Sequence, residues 1–159
     1  MTSFTHLDDD GRARMVDVGR KDPTARRAVA GAVVRLGQIA FAALRDSTLA
    51  KGDALAVARL AGIQAAKRTA DWIPLCHSIP LDHIAVDFEL DEQNHAVHIT
   101  AVAAARWTTG VEMEALVAAS AAGLALYDMA KALDRGISLE RVRLLEKTGG
   151  RSGSWKAAE

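Results

Sequence analysis

Thr109–Arg135 reads TGVEMEALVAASAAGLALYDMAKALDR, and how this stretch is read decides the fold. Thr109-Gly110-Val111-Glu112 has the form of a capping box, in which the Thr109 hydroxyl caps a helix start and Glu112 reaches back to it. Gly136 stands where a C′ glycine would end the helix. Between these signals lie about seven helical turns. Glu112 and Glu114 sit at the start, Asp128 and Lys131 near the end, with the small-residue run Ala118-Ala119-Ser120-Ala121-Ala122-Gly123 between them. On an ideal helix Glu114 and Asp128 point within about 40° of each other but lie about 21 Å apart along the axis. One site could hold both only if two copies of the helix ran antiparallel past each other. The midpoint of 114 and 128 is Ala121, inside the run that would let two helices approach, and Glu112 and Lys131 share nearly the same centre. The pattern predicts a site shared across a two-fold axis.

The rest of the chain sets limits. Its 159 residues suffice for one domain with a real core, or for a protomer that completes its core by association. Half the residues are hydrophobic, but Ala and Val dominate and aromatics are 4%, which suits close packing of helices and strands. Twenty basic residues balance twenty acidic ones, a poor basis for non-specific nucleic-acid binding. The lone Cys76 excludes an intrachain disulfide framework and suits a reducing compartment. No apolar run of about 18 residues and no signal-peptide pattern is evident, so the expectation is a cytoplasmic protein with no membrane partner.

Residues 1–25 are polar, with Asp8-Asp9-Asp10-Gly11 as a turn and Met15-Val16-Asp17-Val18 as a candidate short strand, and read as an arm that orders against the body. Arg26–Leu36 (RRAVAGAVVRL) fits a helix by its alanines and a strand by Val29, Val33 and Val34. Leu36–Leu49 reads as a short amphipathic helix. Asp53 then caps a second helix carrying Leu55, Leu60, Ile63, Ala66 and Ala70, which ends before Pro74 with Lys67 and Arg68 on its last turn. Those two cations can equally be solvated charges complementing the helix dipole. His83–Leu90 and Ala96–Ala104 alternate like strands around the turn Asp91-Glu92-Gln93-Asn94 and predict a hairpin. Val142–Glu146 reads as a last strand.

Three constellations could carry chemistry. Ile73–Leu81 holds Cys76 and His77 between two prolines; without a second Cys, HExxH or CxxC, a metal site is disfavoured. His77 is either a polar group working near neutral pH or a structural histidine held by loop carbonyls. The tail Lys147-Thr148-Gly149-Gly150-Arg151-Ser152-Gly153 has the composition of a phosphate cradle but not P-loop order, and equally reads as a flexible tail. Asp128 and Lys131 at i,i+3 can be an ordinary surface pair.

Taken together, Lys51-Gly52-Asp53, Ala61–Thr69 (AGIQAAKRT), Ile73–His77 (IPLCH), Thr109–Leu116 (TGVEMEAL), Tyr127–Lys131 (YDMAK) and Val142–Gly150 (VRLLEKTGG) resemble the MoaC family over nearly the whole chain from Met15. That resemblance implies cyclic pyranopterin monophosphate synthase, a lyase of molybdenum cofactor biosynthesis. Its substrate would be 3′,8-cyclo-7,8-dihydro-GTP, rearranged to a pterin with a cyclic phosphate while pyrophosphate leaves. It further implies an α+β, ferredoxin-like antiparallel sheet with helices on one face, a homo-oligomer (a hexamer as trimer of dimers), and Arg26–Leu36 as a strand. The corresponding organisation is an arm at 1–25, one catalytic domain at 26–147 and a glycine-containing tail at 148–159. Carried over residue by residue, Lys51, Asp128 and Lys131 resemble the catalytic acid/base group, with His77, Glu112 and Glu114 around them. Leu75, Cys76, His77, Met113 and Glu114 match substrate-contacting segments, and Arg26, Lys67, Arg68 and Lys147 would hold phosphates. No metal or cofactor is implied, although Mg²⁺ can accompany a triphosphate. Ser78 and Thr108 depart from the family, which commonly has proline and lysine there.

Ring opening and reclosure need proton transfers between acids and bases of differing pKa. Clustering Lys51 with Lys131 predicts a lowered ammonium pKa, with Asp128 balancing Lys131. Cations would meet the charge that develops as pyrophosphate leaves. A non-catalytic binding module or a purely structural oligomer would also suit such a domain. Lys51, Asp128 and Lys131 together discriminate, because a binder needs no carboxylate beside clustered lysines and a structural seam would avoid polar groups.

Overall fold

The computed structural model describes residues 10–158. The elements run β1 (Thr24–Arg35), α1 (Gln38–Arg45), α2 (Ala54–Ala66), α3 (Thr69–Trp72), β2 (His83–Asp91), β3 (Ala96–Trp107), α4 (Glu112–Ala130), β4 (Ser138–Thr148) and β5 (Trp155–Lys156). The strands form one antiparallel sheet in the order β2-β3-β1-β4-β5. The architecture is α+β.

Arg26–Leu36 is ambiguous in sequence because β1 is the central strand. Ala28, Ala30, Ala32 and Val34 join the core beneath the helices, with Val97, Ile99, Ala101, Ala103 and Ala105 of β3 beside them. Val29 and Val33, on the opposite face, are also buried. A strand covered on both faces loses the alternation that would identify it. The hairpin β2–β3 follows its prediction, and the Asp91 carboxylate closes the turn by accepting from the Asn94 backbone N (3.0 Å) and Nδ2 (2.7 Å).

Asp53 caps α2 as predicted, accepting from the Ala56 amide at 3.0 Å. Of the residues expected at helical spacing on α2, Leu55, Ile63 and Ala66 pack against the core and Leu60 does not. Ala54, Ala58, Gly62, Ala65 and Ala66 face inward, while Leu60 is 68% exposed. Small residues go inside because α4 lies close: a Cβ on Gly62 would stand 2.8 Å from the Ala118 carbonyl oxygen. α2 also ends at Ala66 rather than continuing toward Pro74, so Lys67 is its C-cap and Arg68 is the N-cap of α3. The buried Thr69 hydroxyl donates to the Ala66 carbonyl at 3.0 Å, which fixes this break.

α4 is shorter than its sequence signals. It begins at Glu112 with Val111 as N-cap, no side chain caps it, and it ends at Ala130 with Lys131 as C-cap. The Thr109–Glu112 capping box does not form, because the Glu112 carboxylate accepts from Lys147 Nζ instead. Gly136 is not the C′ residue: Leu133 and Asp134 amides turn back onto the Ala130 carbonyl. Ala118, Ala119, Ala121, Ala122 and Gly123 are all buried within one chain. The close approach they permit is to α2 and the sheet, which corrects the expectation that the run serves a second copy of α4. In length and composition α4 could cross a membrane, but it is mostly buried against its own chain, as a core helix is.

Met15–Val18 forms no strand, and the Asp8–Gly11 turn lies partly outside the described residues. The tail is more ordered than a flexible end. β5 pairs with β4, placing Glu146 opposite Lys156 and Lys147 opposite Trp155, and the Ala157 amide donates to the Leu145 carbonyl at 2.8 Å.

Candidate active site

The first turn of α4 projects Glu112, Met113 and Glu114 toward the loop carrying Leu75, Cys76 and His77, and all six line one cavity of about 360 Å³. His77 Nε2 donates to the Val16 carbonyl at 2.8 Å, so a neutral ring keeps its lone pair on Nδ1. A second cavity of about 600 Å³ holds Arg26 and Lys147 and shares Glu112 with the first. A smaller one of about 250 Å³ gathers Lys67 and Arg68 with His77 and Glu114. Every sequence-predicted site residue except Lys51, Asp128 and Lys131 therefore stands around this one helix end.

Glu114 is the electrostatic centre of this group. It is 2% exposed, and burial, with a smaller push from Glu112, raises its carboxyl to about 7 against the pull of its own backbone amide. Burial and the nearby Glu114 also push the Cys76 thiol up, which keeps it protonated and unsuited to nucleophilic attack at neutral pH. Glu112 is held differently, in an ion pair with Lys147 at 2.8 Å.

Lys51, Asp128 and Lys131 assemble at the opposite end of α4. Asp128 gives one carboxylate oxygen to each ammonium, Oδ2 to Lys51 at 2.7 Å and Oδ1 to Lys131 at 2.6 Å, and Lys51 also donates to the Asp128 carbonyl at 2.8 Å. The hydrogen bonds from Lys131 and Lys51 hold Asp128 down to about 2. Lys131 moves up from its ordinary value because of Asp128, contrary to the lowered pKa expected from clustered lysines if Lys131 were the one affected. The Asp128 carboxylate bridges the two ammoniums, and at Lys131 that pairing outweighs repulsion.

A single chain thus brings its expected acid/base residues together in two groups at opposite ends of one helix. Among the described residues no cluster of three His, Cys, Asp or Glu side chains could hold a metal ion. Sequence reading missed Val16 as a partner of His77 and missed Lys21, which lines both the cavity of about 600 Å³ and the one of about 360 Å³. No motif marks either residue; their placement comes from the path of the segment before β1.

The family model for the MoaC family matches residues 15–150. The chain is 50% identical over 154 residues to the cyclic pyranopterin monophosphate synthase of Bordetella pertussis, covering 97% of this chain and 96% of that protein. It is 52% identical over 156 residues to the synthase of the same name from Thermomicrobium roseum, covering 98% and 94%. It is also 57% identical over 155 residues to human molybdenum cofactor biosynthesis protein 1, covering 98% of this chain but 24% of that protein. The chain therefore spans about a quarter of the human relative's length and nearly all of the bacterial ones'. A match over these residues, at this identity, means that the chain belongs to the MoaC family.

Proposed function

We propose that this chain is a cyclic pyranopterin monophosphate synthase, a lyase acting in molybdenum cofactor biosynthesis. Its substrate is 3′,8-cyclo-7,8-dihydro-GTP, which it converts to cyclic pyranopterin monophosphate with release of pyrophosphate. The observation that carries this reading is the gathering of Leu75, Cys76, His77, Glu112, Met113 and Glu114 around one cavity, beside a second cavity bearing Arg26 and Lys147. The family match supports it, as do the names of near-full-length relatives.

The residue types suit the steps. Glu114, near 7, can take or give a proton close to neutral pH. His77 stands in the same cavity, its ring held by the Val16 carbonyl. Asp128, near 2, remains a carboxylate throughout and orients the Lys51 and Lys131 ammoniums as acids. Arg26, Lys67, Arg68 and Lys147 offset the negative charge that grows as pyrophosphate departs. Mg²⁺ can travel with the triphosphate.

The fold belongs with ferredoxin-like domains in this reading, on the β-ααα-ββ-α-β order of its first four strands and the strand sequence β2-β3-β1-β4. The protein works in the cytoplasm as a homo-oligomer, a hexamer built as a trimer of dimers, in which the Glu114 end of one α4 meets the Asp128 end of another. Incubating the purified chain with the cyclised GTP derivative tests the activity. Stoichiometric pyrophosphate and pterin are expected, and neither product appearing at high enzyme would overturn it.

A further inference from the structure

Asp134, in the turn after α4, has a partly buried side chain whose two oxygens serve two different segments. Oδ1 accepts from the Gly136 amide at 2.7 Å, which fixes the turn itself. Oδ2 accepts from the Gly37 amide at 2.7 Å, far away in sequence at the start of α1. Gly37 is the N-cap of α1 and has no side chain to cap it, and the first turn of α1 carries no acidic residue. Asp134 therefore supplies, from another element, the anion that a helix start favours. A Cβ on Gly37 would stand 2.9 Å from Oδ2, so the glycine is what lets the carboxylate come this close.

Both segments lead to the Lys51–Asp128–Lys131 cluster. Asp134 stays close to the end of α4, because its amide and that of Leu133 donate to the Ala130 carbonyl at 3.3 and 2.9 Å. Lys131 pairs with Asp128 at i,i+3 on that same helix end, so their contact needs no other element. Lys51 is different, since it reaches Asp128 from the turn between α1 and α2. Unbroken backbone hydrogen bonds carry α1 into that turn: Asp46 to Ala42 at 2.9 Å, Thr48 to Ala43 at 2.9 Å and Gly52 to Leu49 at 2.9 Å. A shift of α1 is thereby passed on to Lys51. α1 is thus tied to the C-terminal end of α4 twice, at its entry by Gly37 and Asp134 and beyond its exit by Lys51 and Asp128.

We propose that Asp134 is a positioning residue for the acid/base cluster: by clasping the start of α1 to the turn after α4, it sets how Lys51 meets Asp128. It touches no reacting atom and acts through α1. The effect on turnover rests on the proposed synthase reading, whereas the clasp itself does not. A misplacement of about 1 Å at a working group costs on the order of a hundredfold in rate. Lys131, paired within its own helix end, is the internal control.

The test is acetylation of the full chain by acetic anhydride, read lysine by lysine by mass spectrometry, alongside steady-state kinetics with the cyclised nucleotide. Acylation needs the Lys51 amine free of both Asp128 oxygens. Asp134→Ala should raise modification of Lys51 at least about threefold and leave Lys131 within about twofold. Its kcat should fall at least about tenfold with KM within about threefold. Asp134→Asn keeps one acceptor oxygen and should fall between. Gly37→Ala, with Asp134 in place, should reproduce the effect, because the added Cβ drives the carboxylate off; it also carries the test should Asp134→Ala not fold. Lys51 reactivity unchanged in the folded variants would overturn the clasp, whatever happens to kcat. Equal rises at Lys51 and Lys131 would overturn it in favour of general loosening, and a selective rise at Lys51 with kcat intact would overturn the positioning role. A wild-type chain inactive on the nucleotide, yet with Lys51 selectively exposed in the variants, would support the clasp and refute the synthase reading.

Discussion

The two ends of α4 handle their carboxylates in opposite ways. At the N-terminal end Glu114 is 2% exposed and rises to about 7, because burial there outweighs every stabilising contact. At the C-terminal end the Asp128 side chain is 54% exposed and falls to about 2, because two ammoniums share its oxygens. The same helix thus offers a proton carrier poised near neutrality and a permanent anion. That difference is what a reaction with several proton transfers needs, since one acid cannot serve steps of differing demand.

The sharpest way to break the comparison is to remove the charged end. Lys51→Ala, Asp128→Ala and Lys131→Ala should each lower turnover by about 10²–10⁴-fold, the range for a positioned acid or base. Their far-ultraviolet dichroism, oligomeric state and melting midpoint should stay near wild type, since the three side chains are substantially exposed. Loss of assembly in all three would mark the cluster as structural. Unimpaired turnover would remove it from the mechanism.

A smaller effect sharpens the buried end. Glu114 has a folded pKa near 7, above its ordinary 4.5, so the folded state binds the extra proton between those values. Stability from this group is fully present below about pH 4.5 and is lost as pH rises toward and through 7, by at most about 3 kcal/mol. Glu114→Gln cannot ionise and should lack that decline. Urea midpoints at pH 5 and pH 8 should then differ less in the variant than in the wild type. Equal pH dependence in the two proteins would show that Glu114 titrates normally.

How much of this was legible in sequence depended on how local each signal was. Asp53 and the β2–β3 turn were readable because neighbours within a few residues determine them. The capping box failed because Glu112 has a competitor, Lys147, 35 residues further along the chain. Leu60 of α2 was misplaced because hydrophobicity favours it, whereas the close approach of α4 at Ala118 puts Gly62 and alanines there instead. The tail looked flexible because its pairing with β4 needs the β4 edge to exist first. Lys21 carries no pattern of its own; only the path from Val16 past His77 brings it to the cavities.

The last expectation concerns how the two ends meet. Within one helix, residues 114 and 128 are separated by about 21 Å, too far for one substrate's reacting atoms. The midpoint, Ala121, is buried against its own chain, so a second α4 would have to approach over what remains exposed, Leu124 at 54% and Tyr127 at 37%. Helices packed through such side chains have axes about 8–10 Å apart, close enough for opposite ends to share a site. Co-expressing Glu114→Ala with Asp128→Ala, each inactive alone, tests this arrangement. If sites are shared, a mixed pair has one site carrying both mutations and one carrying neither. Random pairing makes about half the dimers mixed, and half of their sites are native, so roughly one quarter of wild-type activity should return. If each site belonged to a single chain, every site would carry a mutation and none would recover. Mixed dimers verified by mass, yet without regained turnover, would leave the Asp128 cluster and the Glu114 cavity as separate features of one helix.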